Sequence, residues 1–137
     1  MKVFFDTTAF VKRYVDEPGS YEVIKICRQA DLLILGIICL PEMISTLCRL
    51  VREEKISAKD YRQIKRQVLK EIETIEICSL SPEVIKRAIG CLENNSLRAM
   101  DALHLGCALI INPDLFVSSD TRQILAANKE GLTVLKL

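Results

Sequence analysis

Short apolar runs alternate along the chain with longer segments in which apolar residues recur every three or four positions. Lys2 to Phe5 and Leu32 to Ile37 are nearly continuous apolar runs, as expected for strands that are covered on both faces. Ile77 to Leu80, Leu115 to Ser118 and Leu132 to Leu135 are three further short strand candidates. Because strands and helices alternate throughout, the pattern predicts an α/β fold, with a central parallel sheet and helices on both faces.

The helical segments begin and end at recognisable residues. Pro41 suits the first turn of a helix, and Ser57 followed by Asp60 resembles a capping box. A chain of 137 residues has the length of one domain. The predicted helices are Thr7 to Val15, Ser20 to Ala30, Pro41 to about Lys55, Ser57 to about Glu73, Ser81 to about Asn94, Leu97 to Ile111 and Thr121 to Glu130.

Four carboxylates stand next to, or inside, these apolar segments. Asp6 follows the first strand and Asp120 follows the fourth, while Glu42 comes just after Pro41 and Asp101 lies within the apolar segment Leu97 to Ile111. Ligands of open parallel sheets bind outside the carboxyl ends of the strands, so Asp6 and Asp120 should face the same crevice. Acids are rarely buried unless they are neutralised. The set of four therefore indicates a shared cation.

Each acid taken alone has a simpler explanation. Asp6 and Asp120 are also suited to cap the helices that follow them. Glu42 falls in a first turn, where an acid complements the helix dipole. Asp101 could be a solvent-exposed residue of an amphipathic helix, although its neighbours are mostly apolar. The four acids together favour a functional site over four unrelated explanations, with Asp101 the hardest to explain otherwise.

Converging carboxylates have a definite electrostatic consequence. Two like charges about 4 Å apart repel by ~4 kcal/mol at an effective dielectric constant of roughly 20, and a divalent cation removes that repulsion. Oxygen ligands favour a hard ion, Mg²⁺ or Mn²⁺. Such an ion activates water and polarises a phosphodiester. The hydroxyl groups of Thr7, Thr8 and Ser118 are placed to hydrogen-bond the carboxylates and orient them.

In this order and setting, the acids resemble those of the PIN-domain nucleases. The resemblance spans nearly the whole chain, including its end at Gly131-Leu132-Thr133-Val134-Leu135. The matching motifs are Phe5-Asp6-Thr7-Thr8-Ala9, Leu40-Pro41-Glu42-Met43, Leu97-Arg98-Ala99-Met100-Asp101-Ala102-Leu103-His104-Leu105 and Phe116-Val117-Ser118-Ser119-Asp120. Size and layout look most like the VapC-type toxins of prokaryotic toxin–antitoxin pairs.

The resemblance implies a single PIN-like domain over residues 1–137, with a three-layer architecture. It implies an endoribonuclease that depends on Mg²⁺ or Mn²⁺, in which Asp6, Glu42, Asp101 and Asp120 are the catalytic residues and the metal ligands. It further implies an antitoxin partner of VapB type and a homodimer. In such proteins, helices like the one containing Leu47 and the one spanning Tyr61 to Ile72 form the dimer and the antitoxin groove, although the same residues could be ordinary core.

The net charge and the cysteine content bear on nucleic-acid binding and on the expected cellular location. The net charge of +1 gives no global basic field of the kind typical of nucleic-acid-binding proteins. Arg13, Arg49 and Arg98, which lie close in sequence to the acidic motifs, are the candidates for RNA-phosphate contacts. Six cysteines without a CxxC pair indicate reduced core residues and a cytoplasmic protein. The longest apolar run, Leu32 to Leu40, is too short to cross a membrane as a helix.

His104 has two possible roles, metal binding or packing in the core. His104, the chain's one histidine, shares a helix face with Asp101. Packing against the sheet or a neighbouring helix explains it better than metal binding.

The main competing function is a catalytically silent PIN-like domain that binds protein or nucleic acid. A dehalogenase-type phosphatase would need an acid where Thr8 stands, and a response-regulator receiver would need a lysine after Val117, which the sequence lacks there.

Overall fold

Five parallel strands form one sheet in a computed structural model that describes all 137 residues. The order across the sheet is β3-β2-β1-β4-β5, with β1 in the centre, and every pairing is parallel. The strands are β1 Lys2–Phe5, β2 Leu32–Gly36, β3 Glu76–Cys78, β4 Leu115–Ser118 and β5 Val134–Lys136. Successive strands build outward on one side of β1, and then β4 pairs with its other side. The strand order therefore reverses at β1, where open α/β sheets form their binding crevice.

Seven helices surround the sheet. They are α1 Thr7–Phe10, α2 Ser20–Gln29, α3 Cys39–Arg52, α4 Ala58–Glu71, α5 Pro82–Asn94, α6 Ala99–Ile111 and α7 Thr121–Lys129, with 3₁₀ turns at Val11–Arg13 and Ile72–Thr74. The capping box predicted at Ser57 and Asp60 is present, with both hydrogen bonds formed. Helix α3 begins two residues before Pro41, which is tolerated there because amides in a first helical turn have no intrahelical acceptor. No helix combines the length and apolar character needed to cross a membrane.

Each face of the sheet has its own core. Phe4 stacks on Phe116, with ring centroids 5.6 Å apart, beneath helices α5, α6 and α7. Val3 and Phe5 point to the opposite face and pack with Phe10 and residues of α2, α3 and α4. Both cores are fully buried, which explains the unbroken apolar runs in the strands. The predicted three-layer α/β fold is confirmed.

The start of α6 differs from the prediction. The helix begins at Ala99 rather than Leu97, and Arg98 is extended, with φ −85° and ψ 161°. Leu97 is apolar because it packs on the core from an extended segment, not because it belongs to the helix. Asp101 is consequently the third residue of α6 and lies in its first turn. Asp101 therefore lies within the helix, as predicted, but in its first turn, where an acid also complements the helix dipole.

Candidate active site

Asp6 is anchored where β1 ends. Its Oδ1 accepts hydrogen bonds from the Thr8 hydroxyl at 2.7 Å and the Ala9 amide at 3.1 Å, and its Oδ2 accepts one from the Ser118 hydroxyl at 2.5 Å. The side chain thus caps α1, as one alternative anticipated. Burial raises the pKa of Asp6, although the hydrogen bonds from Ser118 and Thr8 act in the opposite direction. The carboxylate is therefore held rigidly by neighbours from two adjacent strand ends.

Glu42 is held through one of its two oxygens. Its Oε1 accepts a hydrogen bond from the Thr7 hydroxyl at 2.7 Å and lies 2.5 Å from His104 Nε2. The Thr7 hydroxyl and His104 Nε2 are themselves 3.1 Å apart. Burial acts to raise the pKa of Glu42, but the hydrogen bonds from His104 and Thr7 outweigh it and hold the pKa below its ordinary value. Glu42 is therefore ionised at neutral pH and fixed in orientation.

Asp101 and Asp120 meet Glu42 at one cleft of about 560 Å³. Asp120 caps α7 by accepting hydrogen bonds from the Arg122 amide at 2.8 Å and the Gln123 amide at 3.4 Å. Burial raises the pKa of Asp101, and the negative charges of Asp120 and Glu42 raise it further. The cleft therefore carries carboxylate charge that the protein does not fully compensate. Its lining consists of Glu42, Arg98, Ala99, Met100, Asp101, Asp120 and Arg122.

Asp6 does not line this cleft. It is 3% exposed and is linked to the cleft through its neighbours. Ser118 donates to Asp6 and accepts a hydrogen bond from the Asp120 amide at 3.0 Å. The structure thus brings three of the four predicted acids to one cleft and places the fourth behind it. Thr8 and Ser118 bond Asp6, whereas Thr7 bonds Glu42, so all three predicted hydroxyls contact a carboxylate.

The carboxylate oxygens of the cleft are ligands of the kind that a hard cation prefers. The structure contains no group of three or more His, Cys, Asp or Glu side chains arranged to hold one ion. Mg²⁺, however, usually retains several waters and binds through one or two carboxylates together with substrate phosphates. Burial, and after it the negative charge of Asp120, raises the pKa of Asp101, and a cation beside these carboxylates would favour their ionised forms. Asp101, Asp120 and Glu42 are the acids of this cleft from which one or two carboxylate ligands could come.

The three candidate arginines occupy three different environments. Arg98 lines the acidic cleft, whereas Arg49 lines a second cleft of about 450 Å³ that also has Glu42 in its wall. Arg49 is paired with Glu53 at 3.2 Å. Arg13 lines neither cleft, and its Nε donates to Glu71 at 3.0 Å. Arg98 is thus the best placed of the three to contact a phosphate at the carboxylates.

Three residues that the sequence analysis did not assign to the site contact its acids or line the cleft. His104 is buried, as expected of a packed histidine, but it also contacts Glu42. Arg122 lines the cleft, and its position two residues after Asp120, in the first turn of α7, was the available signal. Gln123 is fully buried and donates from Nε2 to the backbone carbonyl of Asp101 at 3.0 Å. No sequence pattern pointed to this contact between α7 and α6.

Comparison with known proteins identifies the fold independently. No curated protein matches the chain in sequence. Among solved structures, the chain is similar to VapBC2 from Rickettsia felis bound to a promoter DNA fragment, with a TM-score of 0.71, 15% identity and coverage of 100% of this chain and 99% of that one. It is also similar to VapC20 from Mycobacterium tuberculosis, described as a toxin that cleaves the sarcin–ricin loop (TM-score 0.70, 9% identity, 98% and 99% covered). A toxin–antitoxin complex from Klebsiella pneumoniae gives a TM-score of 0.69 at 16% identity, with 89% of each chain covered. Residues 3–129 match the PIN domain, and the chain belongs to the PIN domain family.

Proposed function

We propose that the protein is a metal-dependent endoribonuclease that hydrolyses phosphodiester bonds in RNA, and that it is the toxin of a toxin–antitoxin pair. The observation that carries the proposal is the cleft at the strand ends where Glu42, Asp101 and Asp120 meet. Three carboxylates and two arginines in one cleft suit a site that binds both a divalent cation and a phosphate. Membership of the PIN domain family and the likeness to a toxin that cleaves the sarcin–ricin loop support this assignment.

Glu42, Asp101 and Asp120 are the residues that would hold Mg²⁺ or Mn²⁺, with Asp6 behind them. When bound, such an ion orients and activates water, and polarises the phosphodiester. The chain's own contribution is to hold these carboxylates in place and to keep the pKa of Glu42 below its ordinary value. Thr7 fixes Glu42, and Ser118 connects Asp6 to the backbone of Asp120. In this proposal all four predicted acids serve the site, with Asp6 acting from a more buried position than the others.

Arg98 and Arg122 are proposed to hold the phosphate backbone of the RNA. Both are exposed and line the same cleft as the three carboxylates. Guanidinium groups bind phosphate through planar, paired hydrogen bonds, so they position a nucleic acid without reading its sequence. Arg49 in the neighbouring cleft is placed to contact the strand further along. A protein with a net charge of only +1 can bind RNA through such a local basic rim.

An antitoxin of VapB type is the proposed partner, because several similar structures are toxin–antitoxin complexes. A homodimer is also proposed. Its support in this structure is an exposed apolar face on α5, where Ile85, Ile89 and Leu92 are 38%, 51% and 39% exposed. These residues follow helical spacing and form one stripe. Sedimentation of the purified chain beside Ile89→Glu tests the dimer, which the charge should dissociate. A monomeric wild-type chain would overturn it.

Cleavage of a structured RNA panel by purified protein tests the nuclease activity. We expect products with Mg²⁺ or Mn²⁺, none with excess chelator, and a loss of at least about 100-fold in rate for Asp101→Asn, because its carboxylate is a ligand. Glu93→Gln, which alters an exposed acid on α5, is the matched control and should cleave normally. RNA binding without cleavage under any metal would instead favour the silent binding module. An Asp101→Asn protein as active as wild type would refute the proposed site.

A further inference from the structure

His104 is buried at the centre of the site without being one of its acids. It is the chain's one histidine, and only 2% of it is exposed. It lies on α6, whereas Glu42 lies on α3, so the two residues come from opposite layers and meet above the end of the sheet. A buried polar side chain of this kind is maintained by the contacts it makes. Its short contact is with Glu42.

Two donors converge on the same oxygen of Glu42. His104 Nε2 lies 2.5 Å and the Thr7 hydroxyl 2.7 Å from Oε1, while Oε2 has no hydrogen-bond partner from the protein. A carboxylate held by two donors at one oxygen cannot rotate without breaking both bonds. The second oxygen is therefore presented in a fixed direction. Since Glu42 lines the acidic cleft, that direction determines whether Oε2 can act there as a ligand.

The other ring nitrogen shows how the imidazole is held. His104 Nδ1 is buried and has no hydrogen-bond partner. It lies against Gly36 at the end of β2, where an added Cβ atom would be 3.3 Å from Nδ1 and 3.6 Å from Cys107 Sγ. A contact of 3.3 Å is tight for a Cβ atom, so a larger side chain at position 36 would require the ring to shift by a few tenths of an ångström. Glycine at position 36 thus leaves space for the Nδ1 side of the ring, while Nε2 contacts Glu42.

We propose that His104 is a positioning residue for Glu42 and that glycine at position 36 leaves the space that the His104 ring needs. This arrangement sets the affinity of the cleft for a divalent cation. The inference rests on the proposed metal-dependent function of the same cleft. Residues that orient a ligand typically change metal affinity by about 10- to 100-fold when they are replaced. Two substitutions of His104 separate this role from simple packing.

Glutamine and asparagine place their amide nitrogens differently. In His104→Gln the amide nitrogen is as many bonds from Cα as Nε2 is, so it can still donate to Glu42. In His104→Asn the amide nitrogen corresponds to Nδ1 and cannot reach. Calorimetric titration of the metal-free variants with Mn²⁺, without RNA, should show affinity within about threefold of wild type for glutamine and at least about 10-fold weaker for asparagine. Thermal melts and circular dichroism establish that both variants are folded.

The outcomes distinguish this inference from the proposed function. If wild type binds Mn²⁺ and both variants bind it equally well, the positioning role of His104 is overturned while the nuclease proposal stands. If both variants are folded and equally weakened, His104 acts through its ring rather than through the Nε2 hydrogen bond, and the inference fails. A wild-type chain that binds no Mn²⁺ would overturn the proposed metal-dependent function first, and this inference with it.

Gly36→Ala tests whether the lack of a side chain at position 36 is needed for the orientation of the His104 ring. In the wild-type background the added Cβ should press on Nδ1 and weaken Mn²⁺ binding by about threefold or more. Glutamine has no atom where the imidazole places Nδ1, so Gly36→Ala should leave the affinity of His104→Gln unchanged. This double-mutant cycle isolates the coupling between the two positions. Equal losses in the two backgrounds would show that Gly36 acts independently of the ring.

Discussion

Ser118→Ala gives the most direct test of how the buried carboxylate of Asp6 is stabilised. The Ser118 hydroxyl donates to Asp6 Oδ2 at 2.5 Å and accepts from the Asp120 amide at 3.0 Å, and Ser118 is fully buried. A hydrogen bond to a charged group is worth about 1.5–3 kcal/mol, and loss of the second bond adds to this. We expect the variant to lose about 2–3 kcal/mol of unfolding free energy, which corresponds to a fall in Tm of roughly 6–15 °C for a chain of this size.

The assay is urea unfolding in chelator, with Ser119→Ala as the matched control. Ser119 is the next residue, and its hydroxyl oxygen is buried without any hydrogen-bond partner. Its removal should therefore leave the unfolding free energy unchanged or raise it, because no hydrogen bond is lost and an unpaired buried oxygen is removed. Both variants remove the same atom from adjacent positions. A difference between them consequently reports the bonds that Ser118 makes rather than the loss of a hydroxyl as such.

The loss should also depend on pH in a defined direction. The pKa of Asp6 is already raised by burial, and removing the bond from Ser118 raises it further. Stability linked to that bond is present while Asp6 is ionised and is lost as the pH falls through the pKa of Asp6 in the folded variant. The gap between Ser118→Ala and wild type should therefore narrow towards acidic pH. A loss no greater than that of Ser119→Ala, or one that stays constant as the pH is lowered from neutral until the proteins unfold, would refute this account of Asp6.

Three further predictions concern other parts of the molecule. Gly90→Ala on α5 should stabilise the protein by roughly 0.5–1 kcal/mol, because an added Cβ meets nothing within 4 Å. Gly106→Ala should destabilise it by about 2 kcal/mol or more, because its Cβ would lie 2.7 Å from the Val84 carbonyl oxygen. Chemical denaturation measures both changes in unfolding free energy, and a stabilised Gly106→Ala protein would contradict the packing of α5 on α6. Arg122→Gln should weaken RNA binding and reduce the slope of log affinity against log salt concentration by about 0.7–1. The control Arg66→Gln, on the exposed side of α4, should change neither the affinity nor the slope. Filter-binding titrations at several salt concentrations measure both, and equal slopes for wild type and Arg122→Gln would exclude the proposed phosphate contact. Asp101→Asn should raise the Tm of the metal-free protein slightly, because it removes repulsion from Asp120. The same variant should show a smaller increase in Tm on addition of Mn²⁺ than wild type shows. An increase as large as that of wild type would argue against Asp101 as a ligand.

The fold was largely readable from local signals. Continuous apolar runs marked β1 and β2, and the serine–aspartate pair at Ser57 and Asp60 marked the start of α4, where the structure has a capping box. Gly131 ends the region of α7 with φ +94°, a backbone conformation that suits glycine. These features depend on residues close together in sequence, which is why a single sequence reveals them. Boundaries such as the start of α6 were less certain, since Leu97 is apolar for a reason of tertiary packing.

The sequence by itself determined the alternation of strands and helices, the order of the four acids and the hydroxyls beside them. Only the tertiary structure decided which of these residues meet. Strand order places β4 beside β1, and so Ser118 reaches Asp6 across 112 positions of sequence. The packing of α3 and α6 on opposite faces of the sheet brings His104 to Glu42, which are 62 positions apart. Periodicity and turn residues encode local conformation, whereas these contacts depend on how complete elements pack together, and no local pattern specifies that.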